Sequence, residues 1–196
     1  MMNIPEPQNL PTLDGARVKL RPPVERDKQD RLAAGRDPEF RRMVGGEPTD
    51  CPPLTMPEVE QWYQQLCHLP LNWVIEAEGC CIGVARLLAL NRANRRARYA
   101  IGIFSPKYRD RGYGAEATRL VLRYAFEELG FHRIELRVLA FNHRAIACYK
   151  KCGFIEEGLE RDTALIGGEW HSDVLMSVLE QEYRKRHTDL IEGSYE

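Results

Sequence analysis

The stretch Tyr108 to Ala117, YRDRGYGAEA, decides how this chain is read. It follows an alternating apolar run, Ala97 to Phe104 (ARYAIGIF), which has the period of a strand. It opens a segment with Ala117, Leu120, Val121, Tyr124, Ala125 and Leu129 at helical spacing. The stretch is therefore a strand-to-helix turn, with Arg109, Gly112 and Gly114 in the spacing R-x-x-G-x-G. Glycines in such a turn let backbone amides approach an anion, and the helix start adds its positive dipole end. Arg109 and Arg111 add charge, so a pyrophosphate is a natural guest. Taken alone, the turn is also readable as a plain helix start, since glycine serves any tight turn. The Rossmann pattern fits less well, because it needs a third glycine, an early position and an acidic residue after the next strand. A P-loop does not fit, because no GK[ST] follows.

Downstream, Gly130 stops the helix. Arg133 to Leu139 (RIELRVL) reads as a strand, and Asn142 to Lys151 as a short helix closed by Gly153. Phe154 to Glu160 and Trp170 to Leu179 form a last strand pair around a loop with Gly167 and Gly168, and the charged tail from Glu180 is expected to fray. Upstream, Leu71 to Ala77 and Cys81 to Leu90 make a hairpin through Glu78 and Gly79. Thr55 and Glu58 form a capping box for a helix to about His68. Before it come a Gly/Pro-rich loop (44–57), a polar helix-compatible stretch from Val24 to Gly35, and a first strand, Ala16 to Arg21 (ARVKLR). Strands with short turns predict an antiparallel meander, and the unit 97–139 predicts a parallel pair through a crossover. The expected fold class is α/β. It is a single domain over residues 16–182, with a mixed sheet of about six to seven strands and about four helices. An irregular arm (1–15) precedes it and a charged tail (183–196) follows.

Composition narrows the function. A chain of 196 residues fits one domain. With 43% hydrophobic residues it can build a real core. A net charge of -1 gives no general pull toward nucleic acid or an anionic membrane, so neither is an expected partner. No apolar run approaches the roughly 20 residues that span a bilayer. The first residues lack a basic and an apolar region, so a cytoplasmic location is expected. The six cysteines form no CxxC pair and no Cys/His cluster of zinc spacing. They are expected to be free buried thiols, with no metal bound.

A second motif joins the first. About 30 residues after the glycine turn comes Asn142 to Phe154, NHRAIACYKKCGF, with the pattern N-x-x-A-x-x-x-Y-x-x-x-G-F. In this order and setting the two motifs resemble the GNAT N-acetyltransferase superfamily, nearest its RimJ/RimL-like branch. That branch also tends to begin with a strand like ARVKLRP. The resemblance covers roughly residues 16–182.

The resemblance implies acetyl-CoA as cosubstrate and a sheet that splays where the cofactor lies. It implies that the backbone of Ile103 and Phe104 binds the pantetheine arm. The turn, comprising Arg109, Asp110, Arg111, Gly112, Tyr113, Gly114 and Ala115, would hold the pyrophosphate. Asn142 would contact the arm, and Tyr149 would be the general acid toward the departing thiolate. A free tyrosine has a pKa near ~10, close to a thiol's, and such an acid contributes about 10²–10⁴-fold. Read without the motif, Tyr149 is a core aromatic. Some relatives place a basic glutamate on the strand before the tyrosine helix. Aligning on Val138 and Asn142 puts Arg137 at that position. Glu135, on the same strand face, becomes the candidate base, with Glu76 or a water chain as alternatives.

The acceptor site in this family is built by the segments before the hairpin, here residues 24–70. Glu39, Glu47, Asp50, Glu58 and Glu60 suit a cationic amine there, although Arg36, Arg41 and Arg42 are interleaved. The expected acceptor is a small polar amine, a polyamine or an aminoglycoside-type antibiotic. A protein N-terminus is the runner-up, and an acetyl-CoA sensor is the non-enzymatic alternative. Trp62, Tyr63, Trp73 and His171 are candidates for the acceptor pocket or for packing. The chain is expected to be a monomer or a homodimer.

Overall fold

The computed structural model describes residues 9–47, 49 and 51–192, with side chains through residue 186. Asp50 and the outer parts of the arm (1–8) and tail (193–196) lie outside the described residues. The elements run β1 (Leu13–Asp14), β2 (Lys19–Arg21), α1 (Asp27–Ala34), α2 (Pro38–Met43), α3 (Met56–His68), β3 (Asn72–Ala77), β4 (Cys80–Asn91) and β5 (Arg96–Ile103). They continue with α4 (Tyr113–Arg123), β6 (Arg133–Leu139), α5 (His143–Cys152), β7 (Ile155–Ile166), β8 (Glu169–Leu179) and α6 (Glu180–Glu192). Among the described residues, none of these helices is long and apolar enough to cross a membrane.

One mixed sheet holds eight strands in the order β1-β2-β3-β4-β5-β6-β8-β7. β1 to β5 are antiparallel throughout, and β3 to β5 form the expected meander. The β3–β4 turn is Glu78-Gly79, with φ of 53° and 77°, the left-handed pair that a two-residue hairpin requires. β5 and β6 are parallel, and they pair only at Arg96/Arg133, Ala97/Ile134 and Arg98/Glu135. Beyond that step β5 runs on to Ile103 and β6 to Leu139 without pairing, so the sheet splays into a cleft.

Strand alternation sends residues to two faces. On one face Ala97, Tyr99, Ile134, Leu136 and Val138 pack against Ala117, Leu120 and Val121 of α4 and Ile146 and Tyr149 of α5. On the other, Val74, Val84 and Phe104 pack against Leu66 and Trp62 of α3 and Phe40 of α2. Gly83 lets β4 lie close to β5 at the mouth of the splay: a Cβ there would sit 2.1 Å from the Gly102 carbonyl oxygen.

Several expectations change. The arm is not wholly irregular, because Leu10 and Leu13 are buried and Trp73 Nε1 donates to Pro11 O at 2.9 Å, sealing the sheet edge. The tail does not fray from Glu180: it forms α6, anchored by Tyr183, which packs 5.0 Å from the Phe126 ring and donates to Glu127 at 2.7 Å. β7 runs to Ile166, and only Gly167-Gly168 turns, where a longer loop was expected. The helix α2 was not anticipated, although Asp37-Pro38 is a helix-start signal: Asp37 accepts from Phe40 N at 3.1 Å. Of the six free thiols only Cys81 and Cys152 are buried, and the rest are half-buried.

Candidate active site

The cleft between β5 and β6 has one wall of open backbone. Phe104 N donates to Ile82 O at 2.9 Å, which makes Ile103/Gly83 a non-hydrogen-bonded pair of the β4–β5 ladder. By alternation Ile101 and Ile103 turn their N–H and C=O groups away from β4 and into the cleft. Phe104 does not, which corrects the expectation for it: its N–H pairs with β4, and its carbonyl accepts from Arg109 Nη2 at 3.0 Å. Ile101 takes its place on the open wall.

Arg109 is also placed differently from expectation. Its side chain is only 7% exposed and folds back from the turn. It donates through Nε to Ile103 O at 3.3 Å, pairs with Asp37, and lies 3.4 Å from Glu39. The guanidinium thus clamps the end of β5 to the start of α2. Asp37 is the partner that reading the sequence missed.

The rest of the turn keeps its shape as an anion cradle. Asp110 and Gly112 have φ of 57° and 82°, and Gly112 caps α4. The first-turn N–H groups of Tyr113, Gly114 and Ala115 have no intrahelical partner. A Cβ at Gly114 would meet nothing within 4 Å, so the space beside these amides is open. Arg111 lies on the flank, 2.8 Å from Glu78 and 5.2 Å from the Tyr113 ring centroid. The Tyr113 hydroxyl donates to Glu78 at 2.9 Å, and this bond with Arg111 holds the Glu78 carboxyl below its usual range. On the other side Arg144 sits 3.5 Å from Asp110.

The helix α5 brings the second motif to the same cleft. Asn142 caps it, accepting from Ala145 N at 3.2 Å, and donates through Nδ2 to Met43 O at 3.4 Å. Its side chain therefore ties the cleft rim to α2. Tyr149 packs edge-on to Tyr99 at 6.5 Å and Phe154 at 5.7 Å. Burial pushes its phenol pKa far up, and its hydroxyl has no hydrogen-bond partner among the described residues. Cys152 Sγ donates to Ala115 O at 3.5 Å, fastening α5 to the first turn of α4. The neighbouring Cys152 thiol draws the Cys148 thiol below its ordinary value, to about 7.

The candidate bases are not brought to the cleft mouth. Glu135 sits at the last paired step, held 3.1 Å from Arg133 and 3.9 Å from Arg98. It lies four residues, or about 13 Å, from the open end at Leu139. Glu76 is on β3, bound to Arg21 and to Arg26 at 2.7 Å, and the Arg21 bond holds its carboxyl low. The acidic residues expected to draw an acceptor are likewise engaged. Glu39 lies 3.4 Å from Arg144, Glu47 accepts from Gly167 N at 2.7 Å, Glu58 pairs with Arg36, and Glu60 lies 2.7 Å from Lys28. Trp73 and Tyr63 are core residues, and Trp62 packs edge-on to Phe104 at 5.8 Å. His171 does reach the rim, where its ring lies 4.9 Å from Phe141. Asp173, two residues further along β8, comes to the same rim. It lies opposite Leu139 through a long-range register that no local pattern reveals.

This arrangement has known counterparts. The family model described as acetyltransferase (GNAT) domain matches residues 17–155. A spermidine N(1)-acetyltransferase of Escherichia coli is 31% identical over 116 residues, 59% of this chain and 62% of that protein's length. One from Vibrio cholerae is 30% identical over 132 residues, 66% of this chain and 76% of that protein. The crystal structure of spermidine N-acetyltransferase from Vibrio cholerae in complex with CoA and spermine superposes with a TM-score of 0.72 at 25% identity. That match covers 86% of this chain and 99% of the other.

Proposed function

Because the chain belongs to the GNAT acetyltransferase family, we propose that it moves the acetyl group of acetyl-CoA to a primary amine of a small polycation, a polyamine foremost. The observation that carries this reading is the splay after Arg98/Glu135, whose open β5 wall leads directly into the glycine turn at the start of α4. The residues present fit the cofactor. Ile101 offers a backbone donor and acceptor, and Ile103 a donor, to an amide-bearing arm. The first-turn amides of α4 offer donors to a pyrophosphate. The open space at Gly114 leaves room for one. The spermidine-acetylating relatives favour a polyamine over an aminoglycoside.

Acetyl-CoA supplies the activated acyl carbon, and the chain supplies position and protons. The β5 wall and the α4 turn orient the two ends of the cofactor. Asn142 holds α5 so that Tyr149 stands over the cleft. The raised phenol pKa keeps Tyr149 protonated throughout the neutral range, so it is available to donate to the thiolate as the thioester breaks. A hydroxyl with no internal partner has its hydrogen free for that donation.

The test is thiol release from acetyl-CoA with spermidine, spermine, an aminoglycoside and an alanine-terminated peptide. The expected result is turnover with the polyamines. Turnover with the peptide alone would move the acceptor to protein N-termini. Tight acetyl-CoA binding by calorimetry with no turnover would support a sensor, and no binding would refute the reading.

A further inference from the structure

The reaction needs a group to take the ammonium proton, and neither carboxylate suggested by the sequence stands at the cleft mouth. We propose that Asp173 is this general base. The assignment rests on the acetyltransferase reading above.

The sheet register carries the argument. In an antiparallel pair, directly opposed residues share a face. Val138/Val174, Leu136/Met176 and Ile134/Val178 point to the α4–α5 face, where they belong to or pack against that core. Leu139/Asp173 therefore point to the opposite face, toward α2. Gly102 opens to this face too, since a Cβ on it would lie 2.9 Å from Phe40 of α2. Counting on from the paired step Arg98/Glu135, Gly102 and Leu139 are both four residues along, at the same level on the two sides of the cleft. Asp173 is thus level with the open β5 wall, one strand beyond the cleft. Cross-strand Cβ atoms in such a pair stand about 4.5–5.5 Å apart. An amine seated over Leu139 meets the Asp173 carboxylate directly or through one water. Tyr149 lies on the other face, so base and acid flank the acyl group from opposite sides.

The carboxylate is also free for the task. Glu135, Glu157 and Glu160 on the neighbouring strands, and Asp37 and Glu39 at the start of α2, are held by arginines. Asp173 is half-buried and has no ion pair or hydrogen bond from its carboxylate among the described residues. The charged and titratable groups around it are Glu160 across on β7, Arg137 2.9 Å from Glu160, His171 along β8, and Arg42 of α2 stacked 4.3 Å over Phe141. The proton balance is complete. Asp173 takes one proton from the ammonium, the neutral amine bonds to the acyl carbon, and the C–S bond breaks as Tyr149 protonates the sulfur. The second proton of the nitrogen restores the Tyr149 phenol through solvent, leaving a neutral amide, a free thiol and a protonated Asp173 that gives its proton to water.

The experiment compares Asp173→Asn and Asp173→Glu with the unaltered protein. It measures polyamine turnover against pH, acetyl-CoA affinity by calorimetry, and melting temperature. Asp173→Asn is expected to keep its fold and acetyl-CoA affinity and to lose about 10²–10⁴-fold in kcat at neutral pH. Its rate should climb with pH as solvent deprotonates the amine, and Asp173→Glu should recover part of the loss. Full kcat in Asp173→Asn with an unshifted pH profile overturns the assignment. So does a rise in KM alone, which would make Asp173 an ammonium anchor and not a base. An unaltered protein that binds acetyl-CoA but turns over no amine overturns the acetyltransferase reading itself, and this assignment with it.

Discussion

Replacing Arg109 with alanine separates two roles that the glycine-turn motif leaves confounded, a contact to the cofactor's phosphates and a clamp on the strand that carries the arm. The guanidinium is 7% exposed. It bonds Phe104 O at 3.0 Å and Ile103 O at 3.3 Å, and it pairs with Asp37, itself 14% exposed. Hydrogen bonds from a charged group contribute about 1.5–3 kcal/mol each. Breaking a buried pair costs about 3–5 kcal/mol. Two features reduce that figure. The Ile103 bond is long, and Asp37 keeps the Phe40 N–H as a partner at 3.1 Å. A loss of about 3 kcal/mol follows, or about 6–12 °C in melting temperature for a domain of this size. Urea unfolding and calorimetric titration of acetyl-CoA on the same samples give both quantities. The clamp predicts a large stability loss and only indirect weakening of acetyl-CoA. An Arg109→Ala protein as stable as its parent, with acetyl-CoA binding gone, would refute the clamp and return Arg109 to the pyrophosphate.

Three further outcomes are expected. Gly83→Ala puts a methyl 2.1 Å from the Gly102 carbonyl oxygen, so β4 and β5 must part. It should lower stability by about 1–3 kcal/mol and weaken acetyl-CoA, as read from urea midpoints and calorimetry. Tyr149→Phe removes a hydroxyl with no internal partner, so melting temperature and acetyl-CoA affinity should hold while kcat falls about 10²–10⁴-fold; full turnover would remove Tyr149 from the acid role. Glu157 has its pKa lowered to about 2, first by the Arg133 bond and then by Ser177. A carboxyl depressed in the folded state stabilises the fold above its unfolded pKa and loses that contribution as pH falls toward the folded value. Glu157→Gln should therefore flatten the stability loss between the ordinary carboxyl range and about pH 2, measured by acid titration of urea midpoints.

What the sequence made legible was local. The helix α4 and its left-handed start at Gly112, the capping box at Thr55 and Glu58, the Glu78-Gly79 hairpin and the Tyr149 helix each follow from residues within one or two turns of each other. What it hid was set by distant partners. Leu13–Asp14 is a strand only because β2 lies beside it. The helix α6 holds because Tyr183 finds Phe126 and Glu127. Arg109 reads as a phosphate ligand until Asp37, the cap of α2, turns it away. Glu135 was chosen by strand alternation, which gives its face correctly but not its depth in the cleft. Asp173 was invisible for the same reason, since its position depends on β8 pairing with β6 across the intervening α5 and β7.

Amide hydrogen exchange with and without acetyl-CoA tests the placement of the cofactor most directly. The N–H groups of Ile101 and Ile103 face the open cleft, and those of Tyr113, Gly114 and Ala115 begin α4 without intrahelical partners. All five should exchange fast in the free protein and slow sharply when acetyl-CoA is added, while the outer edge of β7 stays unchanged. Binding that leaves these amides unprotected, or protects another surface instead, would contradict the account.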